Sequence, residues 1–224
     1  MFVYIPIRQN MALFLTKELS NGASIYVWEV TESEEELMSM ASIPNDELDE
    51  LSLIRSEALR RQKLAVRALM NEIFEEKVYL GHHDNGKPFL KNSFQEISIT
   101  HTNRFVAVIT HASEDLGIDI ESLDRDFSAV EKKALSEDEV DDLQNQERKR
   151  KLQLAIYWCA KEAIFKRMSL MVGVDFAEQI EIEKFNPHDE GELEGTFYAK
   201  DGTENEFELE YMIFENHVMV WVVG

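Results

Sequence analysis

Residues Leu116-Gly117-Ile118-Asp119-Ile120-Glu121 put two carboxylates two positions apart, between apolar residues and just after a glycine. A strand has a side-chain period of two. Read as a strand, this stretch sends Asp119 and Glu121 to one face and Ile118 and Ile120 to the other. Like charges side by side on a half-buried strand are unfavourable. Either that face is wet, as on an exposed edge with two solvated acids, or something cationic lies across it. A divalent metal is the obvious candidate.

Composition narrows the setting. The chain has 224 residues, 44% of them hydrophobic, enough for one domain or two small ones with a real core. It carries 23 basic and 44 acidic residues, a formal charge of −21, which argues against nucleic acid or an anionic membrane as a main partner. Acidic runs such as Glu34-Glu35-Glu36, Glu137-Asp138-Glu139 and Asp141-Asp142 read as solvated helix faces. A single cysteine, Cys159, forms no internal disulfide and suits a reducing compartment. No stretch is apolar enough to span a bilayer, and Met1–Ile7 is too short and uncharged for a secretion signal, so the expectation is a soluble cytoplasmic protein.

Along the chain, Met11–Leu19 and Ser24–Val30 read as a hairpin around Ser20-Asn21-Gly22. Thr31 is expected to cap a short acidic helix, with Glu34 completing a capping box. A long helical pattern runs from Asn45 or Asp46 to about Phe74, and on it Arg60, Lys63 and Arg67 share one face. That face is either solvated or a phosphate site. Val78–His83 and Lys87–Leu90 flank the turn Asp84-Asn85-Gly86, and Ile97–Thr100 and Phe105–Thr110 follow as strands. After the Asp119/Glu121 strand come an acidic helix pair over Ser128–Asn145 and a long helix over Glu147–Met168. The core stripe of that helix is Leu152, Ile156, Cys159 and Ala163. A strand meander closes the chain, over about Gln179–Lys184, Gly195–Lys200, Glu206–Phe214 and Val218–Val223, with turns at Asp201-Gly202 and Asn216-His217. The fold class is α+β. Two similar α+β halves, residues 1–114 and 115–224, repeat the same element order, with a cleft expected between them.

On the long helix Trp158, Glu162 and Lys166 share a face. A surface Glu–Lys pair there is worth only about 0.3–0.5 kcal/mol. The functional reading adds Glu162 to Asp119 and Glu121 as a third carboxylate. Mg²⁺ suits such a set, since it takes hard oxygen ligands and is typically held by a few carboxylates plus substrate phosphates. No Cys or His spacing supports zinc.

Four motifs occur in order: Gly86-Lys87-Pro88, Ser98-Ile99-Thr100-His101-Thr102, Gly117-Ile118-Asp119-Ile120-Glu121, and Trp158-x-x-Lys161-Glu162-Ala163-x-x-Lys166. Together they resemble the 4′-phosphopantetheinyl transferases of the larger, Sfp-type class, whose two halves form a pseudo-dimer with the active site in the cleft. The resemblance implies transfer of phosphopantetheine from coenzyme A to a serine of an apo acyl or peptidyl carrier protein, releasing 3′,5′-ADP. It implies Mg²⁺ on Asp119, Glu121 and Glu162, with Glu162 also the base toward the serine and Lys166 at the leaving phosphate. It implies coenzyme A contacts from His101, with Thr100 and Thr102 beside it, and from Lys87, in a protein expected to be a monomer.

Two departures stand out. Where some members of that class carry lysines for the 3′-phosphate, this chain reads Asn45-Asp46-Glu47-Leu48-Asp49-Glu50, and Arg60, Arg61 and Arg67 are the expected substitutes. Carrier proteins are usually acidic, and so is this chain, so docking is expected to use an apolar patch with local arginines rather than global steering. The alternatives are a non-catalytic module that binds coenzyme A or a carrier, and an acidic interaction protein whose motifs are accidental. A metal-dependent hydrolase is disfavoured by the lack of a histidine-rich site.

Overall fold

The computed structural model describes residues 13–169 and 173–224. Met1–Ile7 and the first two residues of the first expected strand lie outside them. The chain folds as a mixed α+β protein. Strands β1 (Leu13–Glu18) and β2 (Ser24–Glu29) form the expected hairpin. Helix α1 (Glu34–Ala41) follows. Its cap is Ser33 with Glu36, not Thr31 with Glu34: the Ser33 hydroxyl accepts from Glu36 N, and the Glu36 carboxylate accepts from Ser33 N. Thr31 is already turned into the end of β2, its N–H donating to Glu29 O.

The long helix expected from Asn45 to Phe74 is two helices, α2 (Asn45–Ser52) and α3 (Glu57–Ile73). The break falls at Leu53–Ser56, where the Ser56 hydroxyl caps α3 by accepting from Leu59 N. A small hairpin follows, β3 (Leu80–His82) and β4 (Pro88–Leu90), turned at Gly86 with φ +87°. Strands β5 (Glu96–His101) and β6 (Phe105–His111) complete an antiparallel sheet of order β1-β2-β6-β5.

Strand β7 (Leu116–Ser122) opens a second sheet. After α4 (Ser128–Lys133), α5 (Glu137–Asp142), α6 (Glu147–Arg167) and the turn α7 (Phe176–Gln179) come β8 (Ile180–Ile182), β9 (Glu190–Tyr198), β10 (Glu204–Phe214) and β11 (His217–Val223). The order is β7-β11-β10-β9-β8. The β9 strand starts earlier than expected, its Glu190, Glu192 and Glu194 alternating outward. The β10–β11 turn is Glu215-Asn216, both at positive φ, and His217 is a buried strand residue.

Three apolar clusters tie the layers together. Leu37, Leu64, Leu69 and Met70 cover the outer face of the first sheet. Ile156, Cys159, Ala163 and Ile164 of α6 cover the outer face of the second. Between the sheets, Ile25, Val27, Phe105 and Ala107 meet Ile118, Ile120, Met219 and Trp221. The alternation read at β7 is therefore present: isoleucines face the shared core and the acids face α6. Leu152 is only partly buried, and the buried set of α6 runs well beyond one stripe. No helix among the described residues is long and apolar enough to cross a membrane.

Candidate functional site

The edge strands β5 and β7 lie side by side without a backbone ladder. Hydroxyls of β5 replace it: Ser98 Oγ accepts from Ile118 N at 3.3 Å and Thr100 Oγ1 from Ile120 N at 3.2 Å. Thr100 Oγ1 also donates to Asp119 Oδ1 at 3.0 Å. On its other side β7 is pressed against α6. A Cβ placed on Gly117 would fall 2.0 Å from the Ala163 carbonyl oxygen, so only glycine allows this approach.

That approach brings the charged faces together. Lys166 Nζ donates to Asp119 Oδ1 at 2.8 Å and to Ile118 O at 2.9 Å. Trp158 Nε1 donates to Glu121 Oε1 at 2.9 Å, and Arg125 pairs with the same carboxylate while lying over the Trp158 ring. Glu162 sits between Trp158 and Lys166 on α6. Burial, and then the Asp119 charge, raise its pKa to about 7. The same two causes raise Glu121. Asp119 is 7% exposed, and its Oδ2 is buried without a hydrogen-bond partner among the described residues. Three acids thus face two cations, and among the described residues Asp119 Oδ2 is the fully buried oxygen left without a partner.

These groups suit a hard divalent cation by donor type and by that orphaned oxygen. Among the described residues no three His, Cys, Asp or Glu side chains are already gathered closely enough to hold one. Lys166 pairs with Asp119 and Arg125 with Glu121.

A cavity of about 540 Å³ opens beside the site, lined among others by Glu47, Lys63, Arg67, His82, Phe89 and His101. His101 keeps an exposed face, yet the atoms around its ring, and then Lys166, lower its pKa. The arginines of α3 are divided. Arg67 lines the cavity but is bound to Glu47 at 2.6 Å. Arg60 forms a two-point pair with Glu34 and bonds Ile54 O. Arg61 clips the carbonyls of Val30 and Glu32. Lys63 lines the cavity and has no ion pair or hydrogen bond among the described residues. Lys87 lines a smaller neighbouring cavity with Lys166 and is paired with Asp115 at 2.7 Å. Thr102 serves the β5–β6 turn, accepting from Arg104 N and Phe105 N.

Sequence reasoning passed over two groups. Arg125 stands four residues after Glu121, a spacing that was there to be read. Glu139, in the acidic run Glu137-Asp138-Glu139, is not solvated: it is 2% exposed and paired with the fully buried Lys161 at 2.6 Å.

The fold and these side chains define an α+β protein with an acid-rich site on β7 and α6 beside a roomy, partly cationic cavity. Residues 115–220, which supply both elements, match the family model of the 4′-phosphopantetheinyl transferase superfamily. A search of curated proteins returned no match.

Proposed function

We propose that this protein transfers 4′-phosphopantetheine from coenzyme A to a serine of an apo carrier protein, releasing 3′,5′-ADP, with Mg²⁺ bound. The observation that carries the reading is the buried Oδ2 of Asp119, without a hydrogen-bond partner among the described residues, beside Glu121 and Glu162 and inside the segment that matches the superfamily. Residues 1–114 and 115–224 are read as the two halves of a pseudo-dimer, the larger Sfp-type arrangement, in a cytoplasmic monomer.

Asp119, Glu121 and Glu162 would hold the ion, which supplies charge neutralisation of the diphosphate. Glu162 accepts the proton of the carrier serine hydroxyl, directly or through water. The serine oxygen bonds to the phosphorus next to the pantetheine arm as the bond to the bridging diphosphate oxygen breaks. Lys166 offers its ammonium to the departing 3′,5′-ADP. Such transfer depends mostly on positioning and electrostatic stabilisation. Thr100 acts by holding Asp119. His101, Lys87, Arg67 and Lys63 are the candidates for coenzyme contacts, with Thr102 fixing the turn beside His101. Arg60 and Arg61 act through the α1–α3 packing.

A second reading, a non-catalytic module for coenzyme A or a carrier, draws on the pairing of Asp119 and Glu121 with cations. Mass spectrometry of apo carriers after incubation with coenzyme A and Mg²⁺ separates the two. A gain of one phosphopantetheine mass on a single serine is expected. Coenzyme binding with no mass gain on any carrier would leave the second reading.

A further inference from the structure

Lys161 is the one fully buried lysine among the described residues, and its ammonium is saturated. It donates to Glu139 Oε2 at 2.6 Å, to Phe176 O at 2.8 Å and to Ile180 O at 2.6 Å. Glu139 is equally committed, accepting from Ser136 N at 2.8 Å and from Ile182 N at 2.9 Å. One ion pair therefore pins α5, α6, α7 and β8 at a single point. Removing two charges from water is costly, and an apolar pair of similar volume commonly stabilises a fold as well or better. Stability alone gives little reason for charge here.

What the pair holds is more telling. The Phe176 carbonyl is fixed by Lys161, while the Phe176 ring packs on Trp158 at 5.6 Å and on Phe165 at 5.5 Å. Trp158 in turn donates its indole N–H to Glu121 Oε1. Phe165 lines the smaller cavity next to Lys166. Contacts thus run without a gap from Glu139 through Lys161, Phe176 and Trp158 to the Glu121 carboxylate, and Lys161 directly precedes Glu162 in the chain.

We propose that the Lys161–Glu139 pair is a positioning device: it seats Phe176 against Trp158 and so aims the Glu121 carboxylate into the acid site. The effect on turnover rests on the transferase reading; the effect on Trp158 does not.

The test uses the full chain carrying Lys161→Met with Glu139→Leu, which removes both charges and leaves neither unpaired. Two readouts are taken. The first is the ¹H–¹⁵N spectrum of the three indole groups, assigned through Trp158→Phe, with indole hydrogen exchange. The Trp158 signal should move and exchange faster, while Trp28, bonded to Glu32, and Trp221, beside Glu210, stay in place. The second is steady-state transfer, where kcat should fall about 10–100-fold, the usual cost of losing an outer-shell support, with KM for coenzyme A unchanged. Phe176→Leu, which keeps the ion pair, should reproduce the Trp158 change and serves if the double variant does not fold. An unmoved Trp158 signal in these variants would overturn the proposal. Absence of transfer by the wild-type protein would sink the transferase reading, and the indole readout would still decide the role of the pair.

Discussion

The basic face of α3 and the charged face of α6 end in opposite electrostatic states. On α3, Arg60, Arg61 and Arg67 each find a partner on α1, α2 or the β2–α1 connection. On α6 and β7 three acids share two cations, Asp119 Oδ2 is buried with no hydrogen-bond partner among the described residues, and the pKa of Glu162 rises to about 7 because burial and Asp119 oppose its charge. The first pattern is how a protein spends charge on holding helices together. The second leaves charge unbalanced in a buried place, the electrostatic pattern on which the proposed function rests.

The contrast can be broken in order of expected effect. Glu162→Gln should lower phosphopantetheine transfer roughly 10²–10⁴-fold, the usual worth of a positioned base, while coenzyme A affinity measured by calorimetry stays near wild type. Gly117→Ala should cost about 3 kcal/mol or more in urea unfolding, because the new methyl group meets the α6 backbone. An unfolding midpoint like that of wild type would mean that β7 and α6 are not so closely apposed.

The third effect is on stability against pH in metal-free protein. Glu162 keeps its proton more tightly folded, at about 7, than unfolded, near the ordinary glutamate value of 4.5. The folded state therefore binds more protons across that window, and stability falls as pH rises through it. Glu162→Gln removes the penalty. It should stabilise the protein by about 3 kcal/mol above pH 7 and by almost nothing at pH 4.5. A difference that does not change with pH would mean that burial and the Asp119 charge do not hold the Glu162 proton. The smallest effects compare two cations of α3. Lys63→Ala should weaken coenzyme A binding about tenfold. Arg60→Ala should leave that affinity alone and cost little stability, as its pair with Glu34 lies near the surface.

The legible parts of this structure were those set by local period and local chemistry. The alternation of Ile118, Asp119, Ile120 and Glu121 was enough to divide the two faces of β7. The spacing of Trp158, Glu162 and Lys166 put them on one face of α6. What stayed hidden depended on partners distant in sequence. Thr31 and Ser33 both precede a glutamate by three residues, and only the pairing at the end of β2 decides between them. Leu53–Ser56 breaks the long helix without a glycine or proline to announce it. Glu139 looks like its neighbours Glu137 and Asp138 until Lys161 is found beside it. The commitment of Arg60, Arg61 and Arg67 likewise needed acids and carbonyls more than a dozen residues away to be in place.

The account turns on whether Asp119, Glu121 and Glu162 act together on one divalent cation. Calorimetric titration of Mn²⁺ into the metal-free protein with coenzyme A present asks this directly, comparing wild type with Asp119→Asn. One equivalent bound by the wild type, and binding lost or weakened at least tenfold in the variant, is expected. Equal binding by the two proteins, or no stoichiometric binding by either, would contradict it.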